Sequence, residues 1–373
     1  MKSNDHSRIT RYSVDWKEVM AMQMKTGQAY QKTYQLIAGL ASQYGLSGRE
    51  SAIGESAAEL LRRYVPDASY LDGSVIAHIK SGDNKPVLLI CAHLDQVGFL
   101  VTDITDDGFL RIGAVGGIDR RLLLGQPVMV VGTADGETVL SGVISILPPH
   151  LLKGEQAVPE ESQLCVDLGF ESAERIQAVV RPGDAVYYAS ACKRLGGDCM
   201  TGPALDDRCG VAALILAAES LSAEKDLPCS VTFVLSGQEE RGGRGAKLAA
   251  YNEPADYAIA VDVTFGISHD DTAGCYAVGS GPAIGISAVL SPDLTDIMKK
   301  AAVSAGISFQ IEVMSSSTGT DADHLALAPG GCAAGTLSIP LRYMHTPVEV
   351  VSLKDVEQTA ELLTSIAKEC VRE

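Results

Sequence analysis

From residue 204 onwards, segments with helical periodicity alternate with short apolar segments typical of strands. This alternation limits the fold more than any other feature of the chain. The segments read GVAALILAAESLSA (helix), CSVTFVLSGQEE (strand), RGAKLAAYN (helix) and YAIAVDVTF (strand). Two more helical segments follow, LTDIMKKAAVSAG and LKDVEQTAELLTSIAKECV. Such alternation favours an α/β fold with a mixed sheet sandwiched by helices.

The N-terminal part of the chain adds to the same sheet and is then interrupted. TYQLIAGLASQYG and SAIGESAAELLRRYV predict helices, and the continuous apolar run in PVLLICAHLD predicts a strand buried on both faces. Between about 97 and 190 helical periodicity nearly disappears, and β-like segments surround Asp-Gly turns. We therefore predict one α/β domain made of residues 31–96 and 191–373, an inserted small β-barrel-like domain at 97–190, and a polar leader at 1–30.

Charge and composition argue against several classes of partner. Forty-seven acidic against thirty basic residues give a formal net charge of −17, which disfavours nucleic acid and anionic membrane surfaces. We find neither a signal peptide nor an apolar run of about 18–20 residues that could span a membrane. The nine cysteines contain no C-x-x-C pair, which is typical of reduced thiols and predicts a cytoplasmic protein.

Residues that can bind a metal stand at or just after the C-terminal ends of the predicted strands, or just before a helix. In open α/β sheets the ligand crevice lies at that edge, so separate segments can converge there. Imidazole and carboxylate ligands suit zinc, cobalt or manganese better than calcium or a thiolate-bound metal. The candidates are His93, Asp95, Asp206, Glu239, Glu240, Asp262 and His345.

Each candidate alone also has an ordinary structural explanation. His93 could be a core or surface histidine, Asp206 could cap the following helix, and Glu239 with Glu240 could form a solvated loop pair. Asp262 is harder to explain in this way, because it ends an apolar run and must find a partner or water. The occurrence of such residues at several strand ends together indicates a metal centre.

The spacing of the candidates suits the hydrolysis of a peptide bond. His93 and Asp95 are two apart on a strand and point to the same side, so His93 can bind a metal while Asp95 holds a neighbouring group. Of the adjacent Glu239 and Glu240, one can bind metal while the other takes a proton from water and passes it to the leaving amine. A glycosidase fits poorly, because its two acids face each other roughly 5–9.5 Å apart.

Six ordered motifs, AHLDQVGF, ALDDR, QEERGGRGA, AVDVT, TDADHLA and RYMHTPVEV, resemble those of the dinuclear metallo-aminopeptidases that form tetrahedral particles. That family includes glutamyl and deblocking aminopeptidases, and some of its members are labelled endoglucanases. The resemblance covers roughly residues 31–370. It implies a catalytic α/β domain interrupted by a β domain used in dimerisation, peptide substrates with a free N-terminus, and dimers that can build a dodecamer.

The resemblance also implies roles for single residues and a cofactor of two divalent ions, zinc first, with cobalt or manganese as alternatives. By position, His93 and Asp262 hold one ion, Glu240 and His345 hold the other, and Asp206 bridges both. Glu239 is then the general base and Asp95 supports the site. The same positional match assigns Thr320 and Asp321 to the substrate pocket.

The sequence departs from the family pattern in four places. Gln96 stands where glutamate is usual, Arg241 and Gly243 replace apolar residues, and Asp323 replaces a glycine; the leader of about 30 residues is extra. Two alternatives therefore stay open besides the aminopeptidase. One is a related metallo-deacylase or carboxypeptidase, for which Arg241 and Arg342 are the candidate carboxylate-binding residues. The other is a metal-binding scaffold without turnover.

Overall fold

The computed structural model describes residues 30–82, 84–147, 149–151, 158, 160–269 and 273–370. The predicted leader falls almost wholly on residues 1–29, which lie outside the described residues. Among the described residues, no helix is both long enough and apolar enough to cross a membrane.

One large mixed sheet organises the molecule. Its strands run in the spatial order β1-β2-β12-β3-β13-β16-β17-β11-β10, while β14 pairs with β16 and β15 with β14. The central strands β12, β3, β13 and β16 are mutually parallel. The bounds are β1 Ser69–Leu71, β2 Ser74–Ile79, β3 Val87–His93, β10 Lys193–Arg194, β11 Cys199–Gly202, β12 Ser230–Ser236, β13 Tyr257–Phe265, β14 Ala283–Ser287, β15 Gln310–Met314, β16 Ala333–Arg342 and β17 Glu349–Ser352.

Helices cover both faces of this sheet. Along β3, Leu88 and Ile90 join a core cluster with one set of helices, while Leu89 and Cys91 join a cluster on the other face. This explains why the strand is apolar without alternation. The helices are α1 Gln31–Ala41, α2 Ser51–Arg62, α3 Ala173–Gln177, α4 Leu205–Ser222, α5 Arg244–Asn252, α6 Pro292–Ala305, α7 Ala322–Leu325 and α8 Leu353–Glu369.

Local signals set several helix ends. The Ser291 side chain accepts a hydrogen bond from the backbone N–H of Leu294, Pro292 occupies the first turn of α6, and Gly306 ends the helix in a left-handed conformation. In α8, the Ser352 side chain accepts from the N–H of Asp355. This cap fixes the start of the C-terminal helix immediately after β17.

A closed barrel interrupts the α/β unit, with its strands in the order β4-β5-β8-β7-β6-β9. Its interior is filled by alternate residues such as Phe99, Val101, Leu110 and Ile112. The predicted fold class, a mixed sheet sandwiched by helices with an inserted barrel, is therefore confirmed. The barrel strands are β4 Gly98–Ile104, β5 Phe109–Val115, β6 Pro127–Gly132, β7 Thr138–Ile144, β8 Cys165–Asp167 and β9 Ala185–Tyr188.

Candidate metal centre

The register of three parallel strands brings candidates to one edge of the sheet. His93 ends β3 and pairs with Ser236, which ends β12. On the other side of β3, Ala260 of β13 pairs with Cys91. Asp262 is two residues beyond Ala260, as His93 is two beyond Cys91, so their side chains lie at the same level and on the same face.

Asp206 lies between the two histidines of the candidate set. It stands just before the regular turns of α4, as expected from the sequence, because Asp206 and Asp207 at the start of that helix have non-helical backbone angles. Oδ1 of Asp206 is 3.0 Å from Nε2 of His93, and Oδ2 is 3.1 Å from Nε2 of His345. Each oxygen of this one carboxylate therefore faces a different imidazole.

The remaining candidates complete two neighbouring groups of donors. Nε2 of His345 is 3.2 Å from Oε1 of Glu240, and Nε2 of His93 is 3.9 Å from Oδ1 of Asp262. Among the described residues, two groups of three side chains each place one donor atom per residue within 4.8 Å of the other two. One group is His93 with Asp206 and Glu240, and the other is His93 with Asp207 and Asp262.

The carboxylate of Asp95 binds the backbone of the segment that carries Glu239 and Glu240. Its Oδ1 accepts a hydrogen bond from the backbone N–H of Glu239 at 2.9 Å, and its Oδ2 accepts from that of Glu240 at 3.1 Å. Nδ1 of His93 is 3.1 Å from the carbonyl oxygen of Asp95. Because a carbonyl can only accept, Nδ1 carries a proton, so Nε2 is the nitrogen that can bind a cation when it loses its own proton.

The electrostatics of the cluster show an excess of negative charge. Burial lowers the pKa of His345, but hydrogen bonds to Asp206 and Glu240 raise it overall to about 11. The pKa of His93 is likewise raised against burial, chiefly by Asp206 and Asp95. Burial raises the pKa of Asp206, yet hydrogen bonds from His345 and His93 hold it well below its usual range. Protons on the histidines thus supply the positive charge that the carboxylates require, and a divalent cation fits the same need.

Glu239 differs from the other carboxylates because its side chain makes no close contact with either histidine in the structure. Burial raises the pKa of Glu239 to about 8, with Asp321 and Glu240 adding to the effect and His93 opposing it. A carboxylate whose pKa lies near neutrality is suited to exchanging a proton with water or a leaving group.

The inserted barrel reaches the same centre. A Cβ atom added to Gly116 would lie 3.4 Å from Oε2 of Glu240, and one added to Gly117 would lie 3.1 Å from Nδ1 of His345. These glycines follow β5, so the segment after that strand forms one wall of the site. Tyr188, from the last barrel strand, lines the same small pocket as Asp206.

The two residues assigned to a substrate pocket are both buried. The hydroxyl of Thr320 lies 2.9 Å from that of Thr318. Oδ2 of Asp321 is contacted by the hydroxyl of Ser236 and, at 3.4 Å, by the thiol of Cys91, while Oδ1 has no hydrogen-bond partner. Their role in substrate binding stays a prediction.

Sequence reasoning missed two buried carboxylates. Asp207 accepts backbone hydrogen bonds from His93 at 3.3 Å and Gly210 at 3.0 Å; the doubled aspartate in ALDDR was its only signal. Glu349 contacts the backbone of Asp206 and His345. A glutamate at the start of an otherwise apolar strand in PVEVVS could have identified it, because such a side chain must find partners when buried.

Three of the departures from the family pattern have local structural explanations. Oε1 of Gln96 accepts from the fully buried guanidinium of Arg208 at 3.2 Å. A Cβ on Gly243 would lie 1.9 Å from the ring of His324, so only glycine fits there. The carboxylate of Asp323 accepts from the backbone N–H and hydroxyl of Thr318, which shapes the loop before α7. None of these residues removes a candidate ligand.

Sequence comparison finds relatives over most of the chain. The sequence model of the M42 glutamyl aminopeptidase family matches residues 73–362. The lysyl aminopeptidase of Pyrococcus furiosus is 33% identical over 333 residues, which is 87% of this chain and 94% of the relative.

Solved structures are similar over nearly the whole chain. An aminopeptidase of Desulfurococcus kamchatkensis has a TM-score of 0.84 and 35% identity, covering 91% of this chain and 95% of the other. The TET1 peptidase of Pyrococcus horikoshii, described as assembling into a tetrahedron or a large octahedral shell, has a TM-score of 0.80 and 33% identity, covering 90% and 99%.

Proposed function

The chain belongs to the M42 glutamyl aminopeptidase family of metal-dependent aminopeptidases, and from that premise we propose that it removes N-terminal residues from peptides with two divalent cations. The proposed ligands are His93 and Asp262 for one cation and Glu240 and His345 for the other, with Asp206 shared. Zinc suits these nitrogen and oxygen donors best, and cobalt or manganese suits them as alternatives.

One observation carries the proposal: the two oxygens of Asp206 face two histidines, at 3.0 and 3.1 Å. A carboxylate that served one metal ion or one ion pair would have no need of a second imidazole on its other oxygen. When bound, two cations would supply Lewis acidity at the scissile carbonyl and make water at the site more acidic.

The protein residues supply the proton transfers and the alignment. Glu239 takes a proton from the attacking water and delivers it to the amine that leaves. Asp95 holds the backbone of both adjacent glutamates, so the proton acceptor and the ligand keep a fixed separation. His93 is oriented by its Nδ1–H bond to Asp95.

We further propose that the domain formed by residues 97–190 makes a dimer and that dimers build a dodecamer in the cytoplasm. Support comes from the similar TET1 peptidase, described as assembling into a tetrahedron or a large octahedral shell, and from apolar side chains of this domain such as Val143 and Leu147, which are about half exposed. All nine cysteines are free thiols, which fits a reducing compartment. Light scattering of the full-length protein tests the assembly, and a monomer at every concentration contradicts it.

The activity is tested with a panel of aminoacyl-nitroanilides that carry either a free or an acetylated amine, after loading with zinc, cobalt or manganese. We expect hydrolysis only where the amine is free, and loss of turnover on treatment with a chelator. Hydrolysis of the acetylated compounds would instead indicate a deacylase. Turnover of peptides from the carboxyl end would indicate a carboxypeptidase, and cation binding without any turnover would indicate a scaffold.

A further inference from the structure

Glu349 is a buried carboxylate that ties two segments of the centre together. Its Oε2 accepts hydrogen bonds from the backbone N–H groups of Leu205 at 2.6 Å and Asp206 at 3.2 Å. Its Oε1 accepts from the backbone N–H of His345 at 2.7 Å. The residue is 2% exposed. One side chain therefore joins the start of α4 to the turn between β16 and β17.

The two histidines are anchored in different ways. His93 belongs to β3, which is paired on both edges by β12 and β13. His345 lies outside any strand, in a turn where its φ is +62°, a conformation that a non-glycine residue holds only when its surroundings fix it. The backbone N–H of His345 donates to Glu349, four residues further along the chain. The position of His345 thus depends on a side chain, whereas that of His93 depends on the sheet.

Glu349 does not have the geometry of another cation ligand. Both of its oxygens are occupied by backbone N–H donors, and three such hydrogen bonds to one carboxylate are among the stronger in proteins. Turning the side chain towards the donor atoms of Asp206 and His345 would leave buried backbone N–H groups without partners, which is unfavourable.

We propose that Glu349 is a positioning residue that fixes the separation of Asp206 and His345, and thereby sets the affinity of the cation held by Glu240 and His345. The inference rests on the proposed two-cation function. It predicts an asymmetric response: the Glu240–His345 cation weakens when Glu349 is changed, while the cation of His93 and Asp262 keeps its strand-borne ligands in place.

The test is a Co²⁺ titration of the metal-free protein, followed by visible absorption and by competition with a chelator. In Glu349→Gln the amide NH₂ must face at least one backbone N–H, so the side chain loses its hydrogen bond either to His345 or to the Leu205–Asp206 segment. We expect one of two equivalents to bind about 10–100-fold more weakly, the usual cost of removing an outer partner of a metal ligand. The other equivalent should keep its affinity within about threefold, and kcat should recover at high Co²⁺ with KM unchanged.

Asp355→Asn is the matched control. Asp355 is also fully buried and accepts backbone hydrogen bonds with both oxygens, from Gly279 at 2.6 Å and Gly281 at 2.8 Å. Neither Gly279 nor Gly281 is a candidate ligand, so this variant should lose stability without losing either equivalent. Glu349→Asp is a second test. Its shorter side chain can reach only one of the two segments that Glu349 joins, so this variant should show the same selective weakening.

Several results would overturn the proposal. Unchanged binding of both equivalents, or equal weakening of both, would show that Glu349 does not act on one cation. If both Glu349 variants fail to fold while Asp355→Asn folds, the role of Glu349 is in folding. If the wild type binds two Co²⁺ and cleaves peptides, these failures concern Glu349 alone; if it binds fewer than two, the two-cation function fails and this inference falls with it.

Discussion

Oδ2 of Asp206 lies 3.1 Å from Nε2 of His345, although 139 positions separate the two residues in the sequence and each belongs to a different kind of segment. The contact joins the segment that starts α4 to a turn between two strands. This half of the centre therefore forms only when the two segments meet at the sheet edge.

Glu239→Gln should keep both cations and lose turnover. The substitution removes the proton acceptor but leaves the backbone N–H of Glu239 free to bond to Asp95. We expect kcat to fall about 10²–10⁴-fold, the usual contribution of a general acid or base, while peptide binding persists. Metal analysis and steady-state kinetics of the purified variant check both statements, and loss of a cation from this variant would assign Glu239 to metal binding instead.

Glu240→Gln should behave in the opposite way. Its Oε1 lies 3.2 Å from Nε2 of His345, so replacing the carboxylate removes a charged ligand from one side of the centre only. We expect one of two cations to be lost on dialysis, and activity to be partly restored by excess cation. Side by side with the Glu239 variant, the measurement separates ligand from base; full activity in both variants would refute the mechanism.

His78 should stabilise the fold in a defined pH range. Its ring bridges Asp67 and Glu253, with both nitrogens 2.9 Å from carboxylate oxygens. Burial lowers the pKa of His78, but Glu253 and Asp67 raise it overall above 6.5. Burial raises the pKa of Asp67, but hydrogen bonds from His78 lower it overall below 3.8. The histidine's contribution is therefore complete below pH 6.5 and is lost as the pH rises through its folded pKa, while that of Asp67 is lost as the pH falls through its own.

The measurement is urea unfolding of wild type and His78→Gln at pH 5.5 and 8.5. We expect the substitution to cost up to about 1 kcal/mol at pH 5.5, the range for partly exposed ion pairs, and less at pH 8.5. The control is the same substitution at the exposed His150. An equal cost of His78→Gln at both pH values would mean that the charge of the imidazole is not involved.

The fold, and the meeting of the candidate residues at one edge of the sheet, could be predicted from the sequence because both depend on local, repeated signals. Strand–helix alternation gave the sandwiched sheet, Asp-Gly turns gave the barrel hairpins, and the family resemblance carried by six motifs is confirmed. Candidate residues at strand ends met because parallel strands end at one edge.

What the sequence could not provide are contacts between segments that no motif connects. No sequence pattern indicates that Glu349 contacts Asp206. Gly117 looks like an ordinary turn glycine in the sequence, and its closeness to His345 is visible only in the folded structure. Such features are set by tertiary packing.

The last prediction concerns the approach of the barrel to the centre. A Cβ on Gly117 would lie 3.1 Å from Nδ1 of His345, and φ of Gly117 is outside the left-handed region, so alanine is acceptable to the backbone and only the imidazole must yield. Nε2 of that ring lies 3.1 and 3.2 Å from its carboxylate neighbours, and a shift of a few tenths of an ångström disturbs both distances. Gly117→Ala should therefore weaken the binding of one Co²⁺ equivalent, by about 10-fold if the effect equals the loss of an outer partner, with little change in the unfolding midpoint.

The control is Gly196→Ala, whose Cβ would meet open space; it should bind both Co²⁺ equivalents as the wild type does. If the two variants bind Co²⁺ equally well, the barrel does not constrain His345 and has no effect on cation affinity.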